Sequence, residues 1–109
     1  MIFFRHTEIS ENLIKFDATE NEEIFGSCVL DLNGKNAVVI EVNYAQDKPF
    51  IAEGLLKAAF NFAATKNYYM GECQCENISS LLTGLGFIKT DKYYSLDIPS
   101  ILMGSCCKK

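Results

Sequence analysis

The stretch that decides the fold is "AQDKPFIAEGLLKAAFNFAATK" at residues 45–66, which directly follows the apolar run "AVVIEV" at 37–42. Pro49 suits the first turn of a helix, where its missing N–H costs nothing. After it, polar residues recur at every fourth position and form one narrow stripe on an otherwise apolar helix: Glu53, Lys57, Asn61 and Thr65. A helix with so thin a polar stripe is predicted to pack deeply across a sheet.

Two runs upstream of this helix predict a β-hairpin. In "IFGSCVLDL" (24–32) apolar and polar residues alternate with the period of a half-buried strand. The residues that share its apolar face are Ile24, Gly26, Cys28, Leu30 and Leu32. Asn33-Gly34 supplies the positive φ angles of a tight turn. The partner strand at 36–44 is almost continuously apolar, which is typical of a strand covered on both faces.

Shorter segments complete the chain on both sides. The strand-like runs 2–7 and 13–17 come first, and an acidic connector, 18–23, joins them to the hairpin. After the long helix we predict a strand at 68–75, a short helix at 76–85, strand structure at 87–98 with a turn at 90–92, and at most one helical turn in the tail 99–109. A strand–helix–strand crossover places its strands parallel. The predicted class is α/β (α+β): a mixed, mostly antiparallel sheet with a central hairpin, one long buried helix and a second short helix.

Size and charge restrict the class of protein. The 109 residues suit a single domain spanning 1–109. The formal net charge of −4 and ten scattered basic residues disfavour nucleic-acid binding. No apolar run approaches the ~20 residues that cross a bilayer, so no membrane association is expected. Five irregularly spaced cysteines are typical of reduced thiols in the cytoplasm.

Two stretches resemble a known family: "VIEVNYAQDKPFIAEGLLKAAFNFA" (39–63) and "GLGFIKTDKYYSLDI" (84–98). Together with the hairpin they are similar to the GNAT superfamily of acetyl-CoA-dependent N-acetyltransferases over roughly residues 24–98. The resemblance implies a GNAT-like fold with a reduced N-terminal segment. It also implies acetyl-CoA or another acyl-CoA as co-substrate and a small amine as acceptor.

The family's signature loop, Arg/Gln-x-x-Gly-x-Gly/Ala, falls at the start of the long helix. Aligning the two leucines that follow it on Leu55 and Leu56 places Asp47 at the basic position, and Phe50 and Ala52 at the two glycines. Only Ala52 matches. Small residues there let backbone N–H groups approach a pyrophosphate, which the positive end of the helix dipole favours. Phe50 adds bulk and Asp47 adds negative charge, which Lys48 compensates.

The resemblance nevertheless implies a coenzyme site on these elements. Val42 and Tyr44 would offer strand-end backbone groups to the pantetheine arm. The diphosphate would be capped by Lys48, Pro49, Phe50, Ile51, Ala52 and Glu53. The alternative is a loop that has lost this role and packs Phe50 over the former site.

Glu41 is the candidate general base, because GNAT enzymes often use a carboxylate near this strand position to deprotonate the amine. Burial between Ile40 and Val42 would make its carboxylate a stronger base. The alternative is a glutamate that faces solvent or pairs with a lysine. The family commonly carries an Asn early in the second helix and a Tyr near its end, where this chain has Cys75 and Leu82. Leucine cannot protonate the leaving thiolate, so water or an unidentified group would have to do so.

Two other classes of function stay open. One is a catalytically inactive GNAT-like domain that serves as a ligand-binding or dimerisation module. The other is a cysteine-based metal or redox protein built on Cys73-x-Cys75, with Cys106-Cys107 or His6. That spacing differs from the C-x₂₋₄-C of structural zinc sites, which favours buried cysteines acting as small hydrophobes. The reduced N-terminal segment would leave an apolar groove open to a second copy of the chain, which predicts a homodimer.

Overall fold

The computed structural model describes residues 2–32, 34–45, 48–90 and 93–98. Asn33, Asp47, the centre of the predicted turn at 90–92 and the tail 99–109 lie outside the described residues. The elements, in chain order, are β1 (Phe3–Glu8), β2 (Leu13–Glu20), β3 (Glu23–Asp31), β4 (Ala37–Tyr44), α1 (Pro49–Thr65), β5 (Met70–Cys73), a 3₁₀ turn (Glu76–Ile78), α2 (Ser79–Gly84), β6 (Ile88–Lys89) and β7 (Tyr94–Asp97).

The strands form one seven-stranded sheet in the order β1-β2-β3-β4-β5-β7-β6. Neighbouring strands run antiparallel except for β4 and β5, which pair in parallel because α1 carries the chain back across the sheet. This confirms the predicted mixed, mostly antiparallel sheet with a central hairpin, one long helix and one short helix.

The core lies between this sheet and α1. Seven residues of α1 are fully buried and form its inner face: Ile51, Ala52, Leu55, Leu56, Ala59, Phe60 and Ala63. On the outer face Lys57 forms a 2.9 Å ion pair with Glu53, one helical turn away, as expected for the predicted polar stripe. The burial pattern explains why the long helix was recognisable from its sequence.

The predicted cover on both faces of the second hairpin strand is wrong. Ile40, Glu41 and Asn43 of β4 are exposed, whereas Val39 and Val42 are buried. Since α1 packs on one face of the sheet only, the apolar character of this run does not translate into two-sided burial. The exposed face therefore carries the polar groups of β4.

The acidic connector predicted at 18–23 is also wrong. β2 continues to Glu20 and β3 begins at Glu23, so only two residues, Asn21 and Glu22, form the turn. Both have positive φ, 53° and 69°, as a tight hairpin turn demands. Ile24, expected on the buried face of β3, is 62% exposed. Ala18 of β2 lies opposite Gly26 and Thr19 lies opposite Ile24, so Phe25 is an extra residue of β3, and this bulge separates Ile24 from the regular alternation.

The downstream half follows the prediction with shorter elements. β5 is four residues long, and the predicted helix at 76–85 is divided into a 3₁₀ turn and α2. The run at 87–98 is a hairpin, in which the Thr90 N–H donates to the Tyr93 carbonyl at 2.8 Å. Within the described part of the chain, no helix has the length and apolar character needed to cross a membrane.

Candidate functional site

The candidate site begins where β4 separates from β5. The two strands pair from Ala37 only as far as Val39, opposite Cys73. The Gln74 N–H then donates to the Val39 carbonyl at 3.0 Å and ends the ladder. The last five residues of β4 thus continue without a partner strand on the β5 side, and a gap opens between the two strands.

A β-bulge at Ile40 coincides with this separation. Val29 of β3 lies opposite Glu41 and Leu30 lies opposite Val39, so Ile40 is the extra residue. Bulges bend a strand and redirect its backbone groups. The bend is therefore located where β4 leaves β5.

The backbone of β4 beyond the bulge presents polar groups to the gap. The Ala45 N–H donates to the Phe25 carbonyl of β3 at 2.9 Å. Because successive residues of a strand point their N–H and C=O groups to opposite edges, those of Val42 and Tyr44 are directed toward β5. These are the two residues predicted to contact a pantetheine arm.

Two side chains from the segment after β5 reach Val42. The Asn77 Nδ2 donates to the Val42 carbonyl at 3.3 Å, and the Val42 N–H interacts with the Cys75 sulfur. The Cys75 thiol also lies 4.0 Å from the Val39 carbonyl. The family's pattern pointed to Cys75 and not to Asn77, which lies two residues beyond the expected asparagine position. An asparagine displaced by two residues was the available signal.

The start of α1 lies at the open end of this gap. Lys48 is the residue before the helix and makes no capping hydrogen bond through its side chain, and Pro49 occupies the first helical turn as predicted. The Ile51 N–H donates to the Lys48 carbonyl at 3.0 Å. The Lys48 Nζ is 5.9 Å from the centroid of the Phe25 ring, so a positive charge lies beside the helix start.

The other residues predicted to cap the diphosphate differ in burial and in the contacts that their side chains make. Ile51 and Ala52 are fully buried, so only their backbone could contact a ligand. Glu53 is engaged with Lys57 on the outer face of the helix. Phe50 is 59% exposed and thus does not pack into the core.

Gly26 of β3 allows α1 to begin this close to the sheet. A Cβ at residue 26 would lie 2.8 Å from the Ile51 Cγ2 and 2.9 Å from the Asn43 carbonyl oxygen. Such distances are shorter than van der Waals contact, so any side chain there would push the first turn of α1 away. A shallow depression of about 410 Å³ adjoins this point and is lined in part by Gly26, Asn43 and Tyr44.

We expect Gly26→Ala to destabilise the protein by about 1–3 kcal/mol, because the methyl group overpacks the contact with Ile51 and the β4 backbone. Urea unfolding measures the loss. Gly84→Ala is the matched control, since a Cβ there meets nothing within 4 Å. Equal stability of the two variants would contradict the proposed close approach.

Glu41 lies on the exposed face of β4, next to the bulge. Its Oε2 accepts a hydrogen bond from the Asn43 Nδ2 at 2.9 Å. The burial on which the sequence argument for a strong base depended is absent, because the side chain is exposed. Its position next to the gap keeps the carboxylate open to solvent.

The three described cysteines differ in acidity. The Cys73 thiol donates to the Cys75 sulfur and thereby lowers the pKa of Cys75, with help from the Val42 N–H, whereas the same contact and burial raise the pKa of Cys73. Burial raises the pKa of Cys28 to about 12. Cys28 and Cys73 are therefore held as thiols.

The arrangement of the described cysteines gives little support to the hypothesis of a metal or redox site. Among the described residues no group of three or more histidine, cysteine or acidic side chains could hold a metal ion. Cys106 and Cys107 lie outside the described residues. His6 lies on the edge strand β1 and stacks on Phe16 and Phe62, with ring centroids 5.8 and 4.8 Å apart.

Leu82, at the position of the family's tyrosine, is fully buried in the core. It belongs to α2, and its carbonyl accepts the Phe87 N–H at 3.0 Å where the chain enters β6. Leu82 stabilises the packing of α2 against the core. Because leucine has no phenol hydroxyl, this position supplies no acidic group to the gap.

Comparison with known proteins gives structural likeness without sequence likeness. No family model matches the sequence, and no curated protein matches it. Among solved structures, the chain is similar to the ribosomal-protein-S18-alanine N-acetyltransferase from Escherichia coli, with a TM-score of 0.69 and 13% identity over 82% of this chain and 71% of that one.

Two further structures support the same fold. Nourseothricin acetyltransferase gives a TM-score of 0.70 and 13% identity, covering 90% of this chain and 85% of that one. The PaiA N-acetyltransferase from Thermoplasma acidophilum, solved in complex with coenzyme A, gives 0.65 and 14%, covering 79% and 60%. At such identities the likeness concerns the fold. The chain therefore has the fold of the GNAT acetyltransferases.

Proposed function

We propose that this chain is an acyl-CoA-dependent N-acyltransferase that acts on a small amine, with acetyl-CoA as the co-substrate. The observation that carries the proposal is the gap between β4 and β5, which opens beside the start of α1. A GNAT-like neighbour was solved with coenzyme A, which supports an acyl-CoA as the ligand. The proposal treats residues 1–109 as one domain.

In this proposal the pantetheine arm lies along the free edge of β4. The backbone groups of Val42 and Tyr44 that point into the gap would hydrogen-bond its amides. Asn77 and Cys75 now meet the polar groups of Val42 and would give way to the arm. Since both contacts are single side-chain interactions, a rotamer change in each would be enough to release them.

The diphosphate would lie at the start of α1, where the helix dipole is positive and where the Phe50 N–H has no carbonyl one turn earlier in the helix. The ammonium group of Lys48 would add a positive charge beside the phosphates. Pro49 contributes no N–H, and Phe50 would donate its own. The Ile51 N–H bonds to the Lys48 carbonyl, so Ile51, Ala52 and Glu53 would contribute through the aligned peptide dipoles of the first turn. Because such a site binds the phosphates through main-chain groups, it would tolerate Phe50 and Ala52 in place of the two glycines of the family's loop.

Glu41 would accept the proton of the attacking amine, directly or through a water molecule. The neutral amine attacks the thioester carbonyl, its proton passes to Glu41 as the carbon–nitrogen bond forms, and the carbon–sulfur bond breaks to release the coenzyme as a thiolate. Water would protonate that thiolate, because Leu82 has no acidic group.

We also propose that the chain associates with a second copy of itself. The proposal also includes action in the cytoplasm, which the free thiols of Cys28, Cys73 and Cys75 favour.

A non-catalytic binding module is the second candidate. It is favoured by one observation, the engagement of both polar groups of Val42 by Cys75 and Asn77 within the chain. In such a module this strand edge would serve structure, and a ligand would bind without being turned over.

An assay of free thiol released from acetyl-CoA, run with a panel of small primary amines, distinguishes the two candidates. The acyltransferase predicts saturable, amine-dependent release of thiol and acylated amine detectable by mass spectrometry. A binding module predicts no release above the rate without protein, whether or not acetyl-CoA binds.

A further inference from the structure

β1 is an exposed edge strand whose only protection against pairing, among the devices that natural proteins use, is the charge of Arg5 and Glu8. All six of its residues, Phe3 to Glu8, are exposed, and its register with β2 runs without a shift from Phe3 opposite Thr19 to Glu8 opposite Ile14. It contains no proline, bulge or lysine, which are devices that natural proteins use to block exposed edges. At the opposite edge of the sheet, by contrast, β6 is only two residues long.

The outward backbone groups of β1 can be assigned. The Ile9 N–H donates to the Leu13 carbonyl of the neighbouring strand at 2.8 Å. Because direction alternates along a strand, the odd-numbered residues of β1 bond to β2. The N–H and C=O groups of Phe4, His6 and Glu8 therefore point away from the sheet, where the described residues provide no further strand.

We propose that the partner of this edge is a second copy of the same chain, paired antiparallel through β1 across a two-fold axis at His6. Facing residues in an antiparallel pair are of the same hydrogen-bonding type, so outward residues must meet outward residues. Centring the axis on His6 places Phe4 opposite the partner's Glu8 and Arg5 opposite the partner's Thr7. A two-fold axis at Phe4 or at Glu8 would also pair outward residues, but it would include fewer residues of β1 in the shared ladder. The pairing at His6 joins the two sheets into one.

The side chains of β1 suit a copy of themselves. With the axis at His6, the imidazole lies diagonal to the carboxylate of the partner's Glu8, and the same contact recurs by symmetry. Diagonal neighbours of this kind are within reach of long side chains. β1 carries one arginine and one glutamate, so the strand has no net charge. On its other face the two Arg5 side chains are diagonal neighbours across the axis and must turn their charged ends toward solvent.

Apolar surface flanks the edge and would be covered in the same contact. Phe3 is 59% exposed and Phe4 is 40% exposed. A groove of about 270 Å³ lies beside Phe4 between β1 and α1, lined in part by Phe4, His6, Asn61 and Phe62, whereas Phe3 points to the opposite face of the sheet. Exposed rings along a free strand edge favour an additional strand there, since burial of the rings adds to the backbone hydrogen bonds.

Glu8→Pro tests the shared ladder, with Glu8→Ala as its matched control. Proline removes the outward N–H of residue 8, leaves the β1–β2 bonds intact and removes the same carboxylate as alanine does. Sedimentation velocity over a concentration series, with any tag placed at the C-terminus, measures the dimer. We expect wild type to dimerise and Glu8→Pro to dimerise at least about tenfold more weakly than Glu8→Ala.

The outcomes separate the proposal from its rivals. A circular dichroism spectrum equal to that of wild type shows that Glu8→Pro has folded. A wild-type chain that stays monomeric at all concentrations overturns the proposal, and its edge would then be free for an extended segment of another protein. Equal weakening in Glu8→Pro and Glu8→Ala also overturns it, because the contact would then depend on the carboxylate alone. Neither result bears on the acyl-CoA site.

Discussion

Phe60→Ala is expected to destabilise the protein by about 3–5 kcal/mol, which is the usual cost of removing a buried aromatic ring. Phe60 is the largest fully buried side chain among the described residues, and it joins α1 to the far half of the sheet. Its ring lies 6.0 Å from that of Phe87, and its edge packs against the backbone of Gly71 in β5. Urea unfolding followed by circular dichroism measures the loss.

A double-mutant cycle with Gly71 makes this prediction specific to the contact. A Cβ at residue 71 would lie 2.6 Å from the Phe60 Cε1, so Gly71→Ala alone should cost about 1–3 kcal/mol through overpacking. In the Phe60→Ala background the clash is gone and the new methyl group fills part of the cavity. We expect the double variant to be more stable than the sum of the single variants predicts, by ~0.5–3 kcal/mol.

Gly84→Ala is the control for this cycle, because a Cβ at residue 84 meets nothing within 4 Å. Alanine also favours the helical conformation of α2, so its stability should match or slightly exceed that of wild type. Strict additivity of Phe60→Ala and Gly71→Ala would contradict the contact between these residues.

Glu41→Gln is expected to lower the rate of acyl transfer by ~10²–10⁴-fold, the range lost when a general base is removed. Glutamine keeps an oxygen that can accept the Asn43 hydrogen bond, so the local geometry should persist. The affinity for acetyl-CoA should stay unchanged, because the carboxylate acts on the amine. Steady-state thiol release and calorimetric titration measure the two quantities separately.

Glu23→Gln, at the exposed start of β3, is the matched control and should leave the rate unchanged. A Glu41→Gln variant as active as Glu23→Gln would remove Glu41 from the mechanism and leave the coenzyme site untouched. The base would then have to be sought elsewhere along the gap.

The sequence predicted the elements whose patterns come from burial on one face. The four-residue spacing of Glu53, Lys57 and Asn61 located α1 because the face of the helix opposite that stripe is buried against the sheet. The β3–β4 hairpin was equally clear. The turn at Asn21 and Glu22 was missed because glutamate is not typical of positive φ, and only the pairing of β2 with β3 forces it there. Ile24 was misplaced because the extra residue Phe25 shifts the alternation of β3, and the sequence carries no signal for this bulge.

The candidate site was predictable only in outline. An apolar strand followed closely by the start of a helix predicted residues 42–53 as the location of the candidate site. The separation of β4 from β5 depends on the bulge at Ile40 and on the end of β5 at Cys73, and neither has a sequence signal. Asn77 was missed because its contact with Val42 depends on how the 3₁₀ turn folds back toward β4. The exposure of Glu41 follows from the single packed face of the sheet.

Isothermal titration of the purified protein with acetyl-CoA, in parallel with Lys48→Glu, tests the central claim most directly. If the gap and the start of α1 form an acyl-CoA site, wild type binds acetyl-CoA with saturable heat, and reversing the charge of Lys48 beside the diphosphate weakens binding. Absence of both heat and thermal stabilisation in wild type at saturating concentrations of ligand would contradict the claim. Equal binding by Lys48→Glu would place any bound coenzyme away from the start of α1.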